Sequence, residues 1–298
     1  LAGEARPVQV GGFLMVLRYR GETAGELAGF VQAARRHIRL DGPVAADLDW
    51  PSYADRHRQQ PWFALAALLL AESGYRVLMH GIAGARTGCA PTRPVLQALG
   101  VPLCHSVTDA NASLASRNFA YIGLEHLCPP INALFGLRDE LGVRTVVNTL
   151  ARALNPAEAT HQIQGVFHPP YRALHQEAAL LLGQKRAAIF KGGGGEAQRN
   201  PLKPCAVTSV RDGEAEDQEW PALLPNLDYR WRDEDLDTRT AVAIWRGECE
   251  TPAPIAAITG TTAVALHLLG RAKDPAQAQA MAEAMWRERP RHKYATAA

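Results

Sequence analysis

Apolar positions in the first 40 residues recur at helical spacing. Phe13, Leu14 and Leu17 mark a helix over about 8–18, and Leu27, Phe30, Val31 and Ala34 form one face of a second. Thr23-Ala24-Gly25-Glu26 precedes that second face and has the form of a capping box. The Thr hydroxyl accepts from the Glu amide while the Glu carboxylate reaches back. Two short amphipathic helices cannot bury themselves, so both are expected to pack on other surfaces.

From residue 44 the rhythm changes. Residues 44–48 read as a short strand running into a loop over 49–60, and Pro61 suits the first turn of a helix that stops at Gly74. A second strand is predicted over 75–79 with His80-Gly81 at its C-terminal end, and a helix then ends near Gly100. This order predicts an α/β fold with a mainly parallel sheet flanked by helices and joined by right-handed crossovers. Helices are predicted over 108–119 and 131–141, a strand over 162–167, a helix over 171–182 and a strand over 187–191. That strand runs into Gly192-Gly193-Gly194-Gly195; a strand over 205–210 and helices over 237–247, 255–269 and 275–287 follow. Ligands of an open parallel sheet sit beyond the C-terminal strand ends. Residues 47–53, His80-Gly81 and 191–196 are therefore expected to converge on one crevice.

The chain has 298 residues, room for one large domain or two unequal ones. No apolar run approaches the ~20 residues that span a bilayer, and the first residues lack the apolar core of a signal peptide. No initiator Met is present, so residues upstream of Leu1 are expected. Cys89, Cys104, Cys128, Cys205 and Cys249 are odd in number, widely spaced and without a C-x-x-C pair. That argues against a disulfide framework or a zinc site and for reduced thiols in a cytoplasmic protein. The net charge is only +2, but cations are uneven: Lys185, Arg186, Lys191, Arg199, Lys203 and Arg211 crowd a stretch whose one acid is Glu196. Acidic blocks at 212–219 and 233–237 follow, and the tail from Arg287 to Lys293 is basic again. Such blocks are ordinarily solvated surface.

Several short motifs, in order, resemble glycosyltransferase family 3, the superfamily of anthranilate phosphoribosyltransferases and nucleoside phosphorylases. They are Gly21-Glu22-Thr23 with Glu26-Leu27, His80-Gly81, Val95-Leu96-Gln97-Ala98-Leu99-Gly100, Leu141-Gly142-Val143-Arg144-Thr145 with Asn148, Asn155-Pro156, and Thr261-Thr262-Ala263. The resemblance implies a smaller helical domain, here 1–40 plus about 107–142, that forms a homodimer contact. The α/β domain would be 41–106 plus about 143–298.

Departures from the family pattern shape the expected function. Where the enzymes carry a Gly-Thr-Gly-Gly-Asp phosphate loop, this chain reads Asp47-Leu48-Asp49-Trp50-Pro51-Ser52-Tyr53. Trp and Pro are poor donors of a close N–H nest, and two carboxylates repel pyrophosphate. Met79-His80-Gly81-Ile82-Ala83 lacks the enzymes' cation and amide, the late Asp-Glu pair is reduced to Glu196, and the arginine that engages anthranilate is replaced near Pro130-Ile131-Asn132. This pattern resembles a divergent branch whose studied members bind nucleic acid. The expectation is thus a non-catalytic or weakly catalytic homodimer that binds DNA or RNA, single strands included, without strong sequence preference and without a cofactor. Lys191, Arg199, Lys203, Arg186, Arg58 and Arg86 are the phosphate-binding candidates, with His80, Gly81, Gly192, Gly193, Glu196 and Asn148 in the crevice. The alternative is a phosphoribosyltransferase that uses phosphoribosyl pyrophosphate with magnesium. A small-molecule sensor is a third reading.

Overall fold

The computed structural model describes residues 1–39, 42–54, 58–84 and 89–294. Seven strands form one sheet in the order β3-β2-β1-β4-β5-β6-β7. They are β1 (Leu48–Ser52), β2 (Val77–Gly81), β3 (Phe119–Gly123), β4 (His161–Val166), β5 (Arg186–Lys191), β6 (Cys205–Arg211) and β7 (Glu214–Trp220). Pairing is parallel from β3 through β5 and antiparallel for β6 and β7. The expected α/β architecture with helices around a mainly parallel sheet is what the chain adopts.

Period-two alternation assigns the two faces of the sheet. Leu48, Trp50, Val77, Met79, Phe119, Tyr121, Ile163, Ala188 and Phe190 pack into one large core with α3 (Trp62–Glu72), α4 (Thr92–Ala98), α10 (Thr238–Arg246), α11 (Pro252–Leu268) and α12 (Pro275–Glu288). Helix α3 is apolar on every side because sheet and helices enclose it, so ten of its residues are buried. On the other face α5 (Val107–Arg117) covers Leu78, Ala120 and Ile122, while α9 (Tyr171–Leu181) covers Val166, Ala187 and Ile189.

A separate helical cluster unites α1 (Pro7–Arg20), α2 (Ala24–Arg35), α6 (Leu124–Leu127), α7 (Pro129–Leu141) and α8 (Val146–Arg152). The capping box forms as expected: Thr23 Oγ1 accepts from Glu26 N at 3.2 Å, and Glu26 Oε2 accepts from Thr23 N at 2.9 Å. The stretch 107–142 divides. Helix α5 and strand β3 belong with the sheet, and α6 and α7 join the N-terminal helices. No helix among the described residues is long and apolar enough to cross a membrane.

Three strands differ from expectation. Strand β1 begins where 44–48 was expected to end, because Asp47 is held at its start by Arg76, with Arg76 Nη2 2.7 Å from Asp47 Oδ1. Strand β3 was hidden by the preceding helical pattern, which ends at Asn118 in a left-handed conformation. The acidic stretch 212–219 largely becomes β7, an edge strand that keeps its carboxylates in solvent.

Candidate functional site

Strands β2 and β3 lie to one side of β1, and β4 and β5 to the other. The connection reverses between β1 and β4, and their C-terminal ends open the crevice that such a switch point creates. Glycines let the chain close over it. A Cβ on Gly165 at the end of β4, or on Gly192 after β5, would collide with the backbone of Glu196. With both Cβ atoms absent, residues 192–196 fold back over the strand ends and drive Glu196 into the crevice. Glu196 Oε1 accepts from Ala54 N at 2.6 Å and lies 3.4 Å from Ser52 Oγ, which pairs with Thr92 Oγ1 at 2.9 Å. Burial raises the Glu196 carboxyl to about 7, against the opposing pull of Arg152 and of the Ala54 and Ser52 hydrogen bonds. Ser52, Ala54, Gly84, Cys89, Thr92 and Glu196 line this small polar compartment.

A second compartment opens beside β4, between the sheet and the helical cluster. Arg18 of α1 contributes to its wall, Arg144, Asn148 and Arg152 come from α8 and the turn before it, and Phe167, His168, Tyr171 and His175 complete it. Asn148 and Arg152, four apart on α8, lie on one face of that helix, and Arg144 approaches from the turn before it. Burial lowers the Arg152 guanidinium to about 10 despite the opposing charge of Glu196, and its Nη1 donates to Asn148 O at 2.7 Å. Burial, with Arg152 nearby, holds His175 neutral at about 3. Asn148 Nδ2 and His175 Nδ1 are buried without a protein partner. Phe167, His168 and Tyr171 bring aromatic edges, the first two in a T-shaped contact at 4.8 Å. The compartment suits an anion with an aromatic or planar body.

His80 does not face either space. Its Nδ1 lies 2.7 Å from Tyr53 Oη and its Nε2 3.1 Å from Asp49 Oδ1, all three side chains fully buried. Asp49 also accepts from Gln162 Nε2 at 2.8 Å. Neither Asp47 nor Asp49 therefore confronts a phosphate: one pairs with Arg76 at the far end of β1, the other is sealed beneath it. Gly81 sits where a Cβ would meet Ser52 O, so it serves close strand packing. Gly193 packs on Gln59 and Gln198 in the same loop.

Among the described candidate cations, Arg186, Arg199 and Lys191 do not share one surface. Arg199 is 1% exposed, lies over the Trp220 ring at 5.3 Å and bonds to Pro221 O through its guanidinium. Arg186 stands at the start of β5, paired with Asp212 at 3.1 Å. It is thus the length of the strand, roughly 16 Å, from Lys191 at the other end. Lys191, Lys203 and Arg58 are exposed, and Arg86 lies outside the described residues. Sequence reading overlooked Arg18, Arg144 and Arg152 as site residues, although Asn148 and Arg152 four apart on one helix were a legible pair. No group of three His, Cys, Asp or Glu side chains suited to a metal occurs among the described residues.

Residues 64–288 match the model of the glycosyl transferase family a/b domain, and residues 1–38 that of the family's helical bundle domain. Anthranilate phosphoribosyltransferase of Oleidesulfovibrio alaskensis is 35% identical over 221 residues, 74% of this chain and 66% of its own length. That of Nitratidesulfovibrio vulgaris is 36% identical over 207 residues, 69% and 61% of the two chains. This chain thus spans slightly under two thirds of these relatives. The crystal structure of anthranilate phosphoribosyltransferase from Thermus thermophilus superposes with a TM-score of 0.81 at 26% identity, covering 96% of this chain and 87% of the other. The Saccharomyces cerevisiae enzyme in complex with phosphoribosyl pyrophosphate and magnesium shares the fold, with a TM-score of 0.77 at 18% identity, over 94% of this chain and 80% of that one. These likenesses overturn the nucleic-acid expectation. The relatives bear an enzyme's name, and of the cations chosen for phosphate contact Arg199 is buried and Arg186 is paired with Asp212.

Proposed function

Because this chain belongs to the glycosyl transferase family of helical bundle and a/b domains, we propose that it is a phosphoribosyltransferase. It moves a phosphoribosyl group from phosphoribosyl pyrophosphate to the nitrogen of an acceptor that carries a carboxylate. The observation behind this reading is the compartment of Arg18, Arg144 and Arg152 with the open amide donor of Asn148, next to Glu196 at the switch point. The name shared by the relatives supplies the first acceptor to try, anthranilate, an aromatic amine bearing a carboxylate.

In this transfer the acceptor nitrogen bonds to the ribosyl C1 as the C1–oxygen bond breaks. Pyrophosphate leaves with the electron pair, and the nitrogen gives up a proton. The arginines and Asn148 hold the acceptor carboxylate. Ser52 and Thr92 line the phosphoribosyl side, where the family's glycine loop is missing. Glu196, with a proton affinity near neutrality, receives the amine proton. Magnesium fits the described residues poorly: the Asp49 oxygens are taken by His80 and Gln162, and Glu196 accepts from Ala54.

Incubation with phosphoribosyl pyrophosphate, anthranilate and magnesium chloride is expected to release pyrophosphate and give a phosphoribosylated product by mass. Arg152→Ala should lower kcat/KM for the acceptor by about 100-fold, the usual scale for removing a buried charged contact. Failure to release pyrophosphate with anthranilate or any other aromatic amino-carboxylate would overturn the reading.

A further inference from the structure

We infer that Tyr53, His80, Asp49 and Gln162 are a positioning set that fixes Arg152 and Asn148 and ties the acceptor compartment to the helical cluster. The inference rests on the transferase reading for its kinetic consequence alone. None of the four is more than 2% exposed, and none lines either compartment. They therefore do not touch substrate.

The hydrogen bonds run in one direction. Burial, with the Asp49 charge among the lesser causes, pushes the Tyr53 phenol well above its usual range, so it stays protonated. It donates to His80 Nδ1 at 2.7 Å, and a ring that accepts there carries its N–H on Nε2, facing Asp49 Oδ1 at 3.1 Å. The other Asp49 oxygen accepts from Gln162 Nε2 at 2.8 Å, and the same amide nitrogen lies 3.3 Å from Arg152 O. Gln164 Nε2, 2.6 Å from Gln162 Oε1, fixes which way that amide points. At the opposite end the Tyr53 ring stacks on Phe135 of α7, with centroids 5.7 Å apart and planes inclined 20°.

A continuous chain thus leads from α7, across β1, β2 and β4, to the last residue of α8. There Arg152 bonds back to Asn148 O. Four polar side chains in line through a packed interior stabilise little that an apolar core would not. What they add is a single allowed arrangement of the groups they join. Misplacing a binding group by about 1 Å can lower a rate 100-fold.

The test uses the full chain and two variants. Tyr53→Phe deletes one hydroxyl, and His80→Gln keeps a donor for Asp49 but loses the Tyr53 acceptor. Anthranilate fluorescence gives acceptor affinity without phosphoribosyl pyrophosphate, steady-state kinetics separates KM from kcat, and amide hydrogen exchange is read without ligand. Each variant is expected to bind anthranilate roughly tenfold more weakly, with KM rising more than kcat falls. Exchange should quicken in α8 and not in α11. Combining Tyr53→Phe with Arg152→Lys should give less than the sum of the separate losses. A folded Tyr53→Phe with unchanged α8 exchange and unchanged affinity would overturn the inference. So would equal acceleration in α8 and α11, the mark of general destabilisation. A wild-type chain that neither binds anthranilate nor turns over sinks the transferase reading, while α8 exchange still decides the positioning role.

Discussion

Glu196 holds its proton to a higher pH than an exposed carboxyl does, and stability must follow. Its folded value, about 7, lies above the ordinary value of 4.5. A raised carboxyl favours the folded state where it is protonated, and that advantage is lost as pH climbs from about 4.5 through 7. The difference across that window is about 3 kcal/mol at ~1.4 kcal/mol per pH unit. Glu196→Gln keeps an oxygen for the Ala54 amide and removes the titration. Urea midpoints of the two proteins should therefore separate progressively between about pH 4.5 and pH 7, with the Glu196→Gln variant the more stable above that window, and converge below about pH 4.5. Parallel profiles would show that Glu196 is not the group responsible. The side chains least legible in the sequence share one cause. Arg199 looks like a surface cation until Trp220 and Pro221 are seen around it, and His80 looks like a crevice residue until Asp49 and Tyr53 claim both ring nitrogens. Partners more than 20 residues away decide both, and local pattern does not report them.

At the scale of elements the sequence was read well wherever periodicity was unopposed. Helix α2 formed with its capping box, and α9, α11 and α12 lie close to their expected limits. Strand β3 escaped because five apolar residues follow directly on a helix, and β7 because an edge strand exposed on both faces shows no alternation. The glycine run serves the approach of the protein's own chain, since Gly165 and Gly192 make room for the Glu196 backbone. The run of four is not uniform in its demands. Gly194 and Gly195 have positive φ, 64° and 92°, while Gly192 is extended at φ −107° and is needed for space alone. Gly192→Ala should therefore act by collision, destabilising by about 2–4 kcal/mol and abolishing turnover by shifting Glu196. Chemical denaturation and a transfer assay on the same preparation check both outcomes. A Gly192→Ala variant that is fully stable and active would show that the loop lies elsewhere.

On the scale of the whole molecule the two compartments differ in how firmly they are built. The polar one is made from strand ends and the loop that folds over them. The arginine compartment borrows Arg18 from α1, a helix that buries only Leu14 and Leu17 and leaves Val8, Phe13, Val16 and Tyr19 in solvent. Amides of α1 are expected to exchange with solvent sooner than those of α11, which lies between α3 and α12. Exchange of α1 as slow as that of α11 would show it to be anchored by more than those two leucines. The placement of Arg18 makes helix docking and ligand affinity one linked equilibrium. On the proposed transferase reading, the dissociation constant measured for an acceptor is the intrinsic one divided by the fraction of molecules whose α1 is seated. A molecule seated one time in ten binds tenfold more weakly with every arginine intact, and a titration cannot tell Leu17→Ala from damage to the compartment itself.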